Sequence, residues 1–157
     1  MGRQIGTEKA EAVFRQYADM IYRIALHNLK NPADADDILQ EVCLVLITKK
    51  IPEDEEHLKR WLIRVTINNC RDLSRSYRRR RWESIDDYGH LEAEKPPEII
   101  SELQSLPENY RNIIYLYYYE KYTVSEIAEI LRMNVNTVKS GLRRARDQLK
   151  KLLTEAE

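Results

Sequence analysis

Glycine and proline are scarce, four and five residues in a chain of 157. These residues punctuate local structure, so their scarcity leaves room for long helical patterns. No unbroken apolar run of about 18 residues occurs, which excludes a membrane-spanning helix of the usual kind. The N-terminal stretch MGRQIGTEKAEAVF has no apolar signal core. Gly2 to Thr7 fit a myristoylation pattern only superficially, with no second membrane signal beside them. Cys43 and Cys70 are isolated in helical patterns, which reads as two buried thiols in a reducing cytoplasm rather than a disulfide. His27, His57 and His90 are scattered without metal-ligand spacing. A Gly-rich phosphate loop, a nucleophile elbow and an HExxH helix are all missing. The expectation is therefore no enzyme, no metal or other cofactor, no small-molecule substrate and no membrane insertion.

What is present is helical and sharply patterned in charge. Hydrophobic residues make up 43% of the chain, enough for a core. Net charge is zero, yet Lys59 to Arg81 carries nine basic residues against Asp72 alone. Acidic stretches flank it, Asp34 to Glu56 and Glu83 to Glu98, and Arg132 to Lys151 is basic again. Two basic patches imply two polyanion contacts that a near-neutral pI conceals.

The periodicity predicts an all-α chain of two small helical domains, 1–81 and 98–157, joined by a linker, 82–97. The first predicted helix, about Glu8 to Leu29, turns Val13, Phe14, Tyr17, Ile21, Ile24 and Ala25 inward and ends at Asn31-Pro32. The second, about Pro32 to Lys49, has Ala35, Ile38, Leu39, Val42, Cys43 and Leu46 as its core face, and Ile51-Pro52-Glu53-Asp54 breaks it. The third, about Glu56 to Arg79, places Leu58, Trp61, Leu62, Val65, Asn69 and Leu73 on one side, with Trp61 in the core rather than stacked on bases. Beyond the linker come a short helix, Glu98 to Gln104, and a helix from Pro107 to about Glu120. The cluster Tyr115, Tyr117, Tyr118, Tyr119 and Tyr122 reads as structural.

Thr123 to Leu152 reads as a helix-turn-helix. Thr123 and Glu126 make a T-x-x-E capping box that starts a helix, with Ile127, Ala128, Ile130 and Leu131 inward. Asn134 is the N-cap of a second helix. Along it Val138, Leu142, Ala145, Leu149 and Leu152 form an apolar stripe. Asn136, Thr137, Lys139, Ser140, Arg143 and Arg144 lie off that stripe, with groups that hydrogen-bond base edges or phosphates. An ordinary amphipathic hairpin shares the apolar pattern, but the basic outer face is what a recognition helix presents to the major groove.

Two other faces stand out. Arg60, Arg64, Asn68, Arg71 and Arg75 recur at spacings of four, four, three and four. A solvated helix normally intersperses signs, because like charges at i,i+4 repel; this line reads as a nucleic-acid track, with a membrane-surface helix a weaker option. On the second helix Asp37, Gln40, Glu41 and Leu44 share an outer line, with Asp36 beside it. A solvated acidic face accounts for the carboxylates but not for Leu44, and an apolar residue bordered by acids and an amide can dock a partner helix.

In combination these pieces resemble the extracytoplasmic-function sigma factors, the small two-domain subgroup of the sigma-70 family, over nearly the whole chain. DADDILQEVCLVL resembles the family's core-polymerase-binding helix. WLIRVTINNCRDLSRSYRRRR resembles the helix that engages the minus-ten promoter element, matching at Trp61, Arg64, Asn68, Asp72 and Arg75. LPENYRNIIYLYYYEKYTVSEIAEIL followed by NTVKSGLRRARDQL resembles the domain that reads the minus-thirty-five element. The resemblance implies a bacterial transcription initiation factor that directs core RNA polymerase to specific promoters and aids melting. Asp36, Asp37, Gln40, Glu41 and Leu44 would dock on the polymerase. Arg60, Arg64, Asn68, Arg71 and Arg75 would hold DNA on the minus-ten side. Asn136, Thr137, Lys139, Ser140, Arg143 and Arg144 would contact the minus-thirty-five side. An anti-sigma factor is implied as a regulator that hides these faces.

The chain departs from the family's pattern in four places. Arg132 stands where glycine is frequent, in the turn. Gly141 stands where arginine is frequent, which costs the helix about 1 kcal/mol relative to alanine and removes a possible phosphate contact. Cys43 replaces an aromatic, and Lys49 to Lys59 matches poorly where a flipped minus-ten base would be held. Two competing functions remain. A stand-alone helix-turn-helix regulator would want a dimer seam for its half-sites, and no heptad seam is evident. A nucleic-acid enzyme would want convergent carboxylates around a metal, which these helix-surface acids do not suggest.

Overall fold

A computed structural model describes residues 2–3, 6–83 and 106–155. The chain divides into two compact units, Met1–Lys95 and Pro96–Glu157. The linker reading from Ser84 onward and the short helix at Glu98 to Gln104 lie outside the described residues.

The first unit is a three-helix assembly: α1 (Thr7–Leu29), α2 (Pro32–Thr48) and α3 (Glu55–Glu83), packed pairwise. Local chemistry sets its corners. Lys30 closes α1 in the left-handed conformation, φ 61°, and its N–H bonds the carbonyl of Leu26. Asn31 caps α2, its Oδ1 accepting from the N–H of Ala33 at 2.8 Å and of Asp34 at 3.3 Å, while Pro32 occupies the first turn, where no N–H is needed. Asp54 caps α3, its carboxylate accepting from the N–H of His57 at 2.9 Å.

Ile21, Ile24, Ala25, Ala35, Val42, Leu46, Leu62 and Ile63 are almost wholly inaccessible and form the centre of this core. Val13, Phe14, Leu39 and Cys43, expected inward, are half-buried. The core face of α3 is rotated from the expected one. Leu58, Leu62, Ile63, Thr66, Ile67 and Cys70 are buried, whereas Trp61, Val65, Asn69 and Leu73 are only half-buried. Thr66 fits an apolar face because its hydroxyl donates to the carbonyl of Leu62, 2.7 Å away. Farther along α3, the Tyr77 hydroxyl donates to Asp34 Oδ1 at 2.7 Å, tying the helix to the start of α2.

A small strand pairing, absent from the periodicity, joins β1 (Gly2–Arg3) antiparallel to β2 (Ile51–Pro52), with Arg3 opposite Ile51. The class remains all-α.

The second unit holds α4 (Glu108–Ile114), which runs into a π-helical turn at Tyr115–Tyr119, then α5 (Val124–Leu131) and α6 (Val135–Glu155). In the wider turn the N–H of Glu120 bonds the carbonyl of Tyr115, five residues back, at 3.2 Å. Leu106, Ile113, Leu116, Ile127, Ile130, Val138 and Ala145 are the core. The capping box is complete: the N–H of Glu126 donates to Thr123 Oγ1 at 3.2 Å and the N–H of Thr123 donates to Glu126 Oε1 at 2.9 Å.

Candidate nucleic-acid and partner interface

On α2 the five residues of the expected outer line are all exposed, while Leu39, Cys43, Val45 and Ile47 are half-buried. Asp36, Asp37, Gln40 and Glu41 face solvent, and Leu44 is 55% exposed. Positions 37, 40, 41 and 44 follow i, i+3, i+4 and i+7, so they share one side of the helix. Leu44 is the large apolar side chain left out of the core on this helix. It stands exposed among carboxylates and an amide.

On α3 the five residues of the basic line do not share one environment. Asn68 and Arg75 are exposed, while Arg60, Arg64 and Arg71 are half-buried. Arg60 Nε lies 3.3 Å from Glu56 Oε1, an i,i+4 ion pair, so the first member of the line is partly neutralised. The charge count from Lys59 onward hid this, since Glu56 lies just outside it.

The helix-turn-helix is well defined by its turn. Arg132 sits at φ 55°, ψ 49°, and the N–H of Met133 returns to the carbonyl of Ala128 at 2.9 Å. This is the left-handed closure that glycine adopts without strain, which explains the family's preference there. Asn134 Oδ1 accepts from the N–H of Asn136 at 2.8 Å and so caps α6.

The six residues expected to contact DNA fall into two groups. Asn136, Thr137, Ser140 and Arg144 line a cleft of about 370 Å³ shared with Asn109, Tyr110 and Ile113 of α4. Lys139 and Arg143, both exposed, lie outside that lining. Interaction with the Tyr110 side chain, which lines the same cleft, holds the Arg144 guanidinium even more firmly protonated than usual.

Gly141 is buried and also lines the cleft. A Cβ there would stand 2.8 Å from Ile113 Cδ1 and 3.6 Å from two ring carbons of Tyr110. The expectation that glycine here costs a phosphate contact is therefore corrected: this position faces α4, where a Cβ would press on the end of the Ile113 side chain.

Two features escaped the sequence reading. Tyr110 was not singled out, because only the packing of α4 on α6 brings it into the cleft that Arg144 lines. The tyrosine cluster also splits. Tyr115 and Tyr122 are buried, as expected of structural residues, but Tyr118 and Tyr119 are 47% and 57% exposed. The Arg146 guanidinium lies 5.3 Å from the ring centres of both Tyr117 and Tyr118, and its Nε donates to the Tyr118 hydroxyl. Among the described residues no three His, Cys, Asp or Glu gather to hold a metal ion, and no described helix is long and apolar enough to cross a membrane.

Comparison with known proteins gives these faces a family. The sigma-70 region 2 model matches residues 13–83, and the model of sigma-70, region 4 matches residues 98–149. The chain is 32% identical to the RNA polymerase sigma factor SigV of Bacillus subtilis, over 87% of this chain and 86% of that one. It is 30% identical to the ECF RNA polymerase sigma factor SigL of Mycobacterium tuberculosis, over 99% and 97%. With SigE of Mycolicibacterium smegmatis it also shares 30% identity over 98% of its own length, but it spans only 65% of that longer relative. In fold it is similar to the sigma factor RpoE solved with the anti-sigma factor NepR from Bartonella quintana, with TM-score 0.75, 19% identity and coverage of 92% and 96%. CnrH, solved with the cytosolic domain of CnrY, gives TM-score 0.67 at 23% identity, covering 94% and 89%. Region 2 and region 4 in the order of α1–α3 and α4–α6, with relatives matched nearly end to end, make this chain a member of the extracytoplasmic-function sigma factors of the sigma-70 family.

Proposed function

We propose that this chain carries out its family's task, directing core RNA polymerase to specific promoters and aiding their melting, through three separate helix faces. Asp36, Asp37, Gln40, Glu41 and Leu44 on α2 dock on the polymerase. The Arg60, Arg64, Asn68, Arg71 and Arg75 line on α3 holds DNA on the minus-ten side, so residues 1–81 carry both polymerase and minus-ten contacts. Asn136, Thr137, Lys139, Ser140, Arg143 and Arg144 on α6 read the minus-thirty-five element from within residues 98–157, and 82–97 links the two. The chain contributes binding energy and orientation; bond-making stays in the polymerase, in the cytoplasm. The two solved relatives in fold were captured with an anti-sigma factor and with the cytosolic domain of CnrY, which supports an anti-sigma partner for this chain as well.

The observation that carries this reading is Leu44, left 55% exposed on a helix whose opposite side is buried. A solvated acidic helix has no use for it, whereas a partner helix does. Run-off transcription with purified core polymerase and a genomic promoter library tests the reading. Promoter-specific transcript should require this chain. The Asp37→Ala, Gln40→Ala double variant should lose polymerase binding with its helical circular dichroism unchanged. Transcript that is independent of the chain, or a double variant that binds polymerase like wild type, would count against it.

A further inference from the structure

The π-helical turn at Tyr115–Tyr119 carries an aromatic corner. The N–H of Glu120 reaches back five residues to the carbonyl of Tyr115, and wide turns of this kind recur at functional sites. Within it the Tyr117 and Tyr118 rings meet edge to face, their centres 5.0 Å apart and their planes at 78°. Arg146 of α6 lies against both rings, its guanidinium carbon 5.3 Å from each centre, and its Nε donates to the Tyr118 hydroxyl. Tyr118 is 47% exposed and Arg146 is exposed as well. The guanidinium is therefore held by the corner yet open to solvent. Its place on α6 is equally specific. Lys139, Arg143 and Arg146 stand at i, i+4 and i+7, so they share one side of the helix, and all three are exposed. Lys139 and Arg143 are the two expected DNA contacts outside the cleft lining, and Arg146 continues their line.

We propose that Arg146 is a further DNA contact of the second unit, a guanidinium that binds backbone phosphate beside the minus-thirty-five element, with Tyr118 as its positioning residue. This rests on the helix-turn-helix reading above. An arginine on an exposed helix face spreads over many rotamers, and ordering it on binding costs affinity. Here the two rings and the hydroxyl restrict that spread before DNA arrives. The hydroxyl takes the single Nε donor; the two terminal nitrogens carry the other four, in the fork that suits a phosphate. Phosphate is the expected target rather than a base edge. The amide and hydroxyl groups that read bases, on Asn136, Thr137 and Ser140, lie along the cleft instead. A phosphate contact fixes register and adds affinity without choosing sequence.

The test uses holoenzyme, assembled from the full chain and core polymerase, and a promoter duplex that it transcribes in the run-off assay. Arg146→Ala should weaken binding about eightfold at about 0.1 M salt and lower the log–log salt slope by about 0.9, the counterion share of one phosphate. Arg146→Lys keeps the charge but loses the stacked, hydrogen-bonded geometry. Its slope should match wild type while its affinity falls about threefold. Tyr118→Phe keeps the ring and removes the hydroxyl, with about the same threefold loss and the same slope. Added to Arg146→Ala, it should cost nothing more. In a selection from DNA randomised over the minus-thirty-five region, Arg146→Ala should keep the wild-type base preferences. A purely structural tie would leave the salt slope of Arg146→Ala unchanged. That result, a slope that falls equally in Arg146→Lys, or a lost base preference overturns the inference while the helix-turn-helix reading stands. If Asn136→Ala and Arg143→Ala both bind like wild type, that reading fails, and this one with it.

Discussion

Replacing Gly141 with alanine sets two known effects against each other. Alanine in place of glycine within a helix is worth about 1 kcal/mol to the helix, so on an exposed face the change would stabilise α6. Here the new methyl would stand 2.8 Å from Ile113 Cδ1. Ile113 is wholly buried, so it has little freedom to move aside. Forcing a methyl into a packed site typically costs about 1–3 kcal/mol. The two terms leave a net loss of about 1 kcal/mol. Trp61 and Trp82 both belong to the first unit, so tryptophan fluorescence would follow unfolding of the wrong part. Hydrogen exchange read by mass spectrometry resolves the second unit directly. Amides of 113–116 and 142–145 should exchange about fivefold faster in Gly141→Ala, the equivalent of that loss, with α1–α3 unchanged. A second variant isolates the cause. Ile113→Val deletes the Cδ1 atom itself and should by itself cost about 1 kcal/mol. Combining it with Gly141→Ala should then cost little more than Ile113→Val alone, a coupling of neighbours rather than a sum. Slower exchange in Gly141→Ala, or strictly additive penalties, would refute the argument that glycine is there for close approach.

Two further outcomes follow from the same geometry. Arg132 holds a left-handed backbone at φ 55°, which costs a side-chain-bearing residue about 1 kcal/mol; Arg132→Gly should slow exchange across α5 accordingly, and unchanged or faster exchange would contradict it. Promoter binding by the holoenzyme should weaken steeply with salt, and Arg75→Ala should reduce the log–log slope by about one contact; an unchanged slope in a polarisation titration would remove Arg75 from the phosphate track.

Helix ends were the most legible part of this sequence, because a cap is a local transaction. Thr123 with Glu126, and Asn134, each satisfy backbone N–H groups within three residues, so spacing alone reveals them; Asn31-Pro32 and Asp54 read only as breaks, and the structure makes Asn31 and Asp54 caps as well. The α2 strip was legible for a related reason: an exposed leucine among acids contradicts the helix's own period. The face of α3 was less so. Its 29 residues offer two overlapping apolar stripes, and the choice between them is made by α1 and α2. Trp61 fits either stripe by spacing, and only packing leaves it half-buried.

Gly141 shows where sequence reading ends. Within its own helix it is a defect, costing propensity and offering no group to DNA. Its worth depends on Ile113, 28 residues earlier in the chain, whose Cδ1 reaches to 2.8 Å from where a Cβ would stand. No period or motif connects those positions. Family departures of this kind are therefore best judged in pairs, by asking which residue has moved into the vacated space. For this chain that residue is Ile113, whose Cδ1 stands 2.8 Å from where a Cβ would be, and arginine at 141 should speed exchange of the amides of 113–116 and 142–145 at least as much as alanine does; slower exchange would refute it.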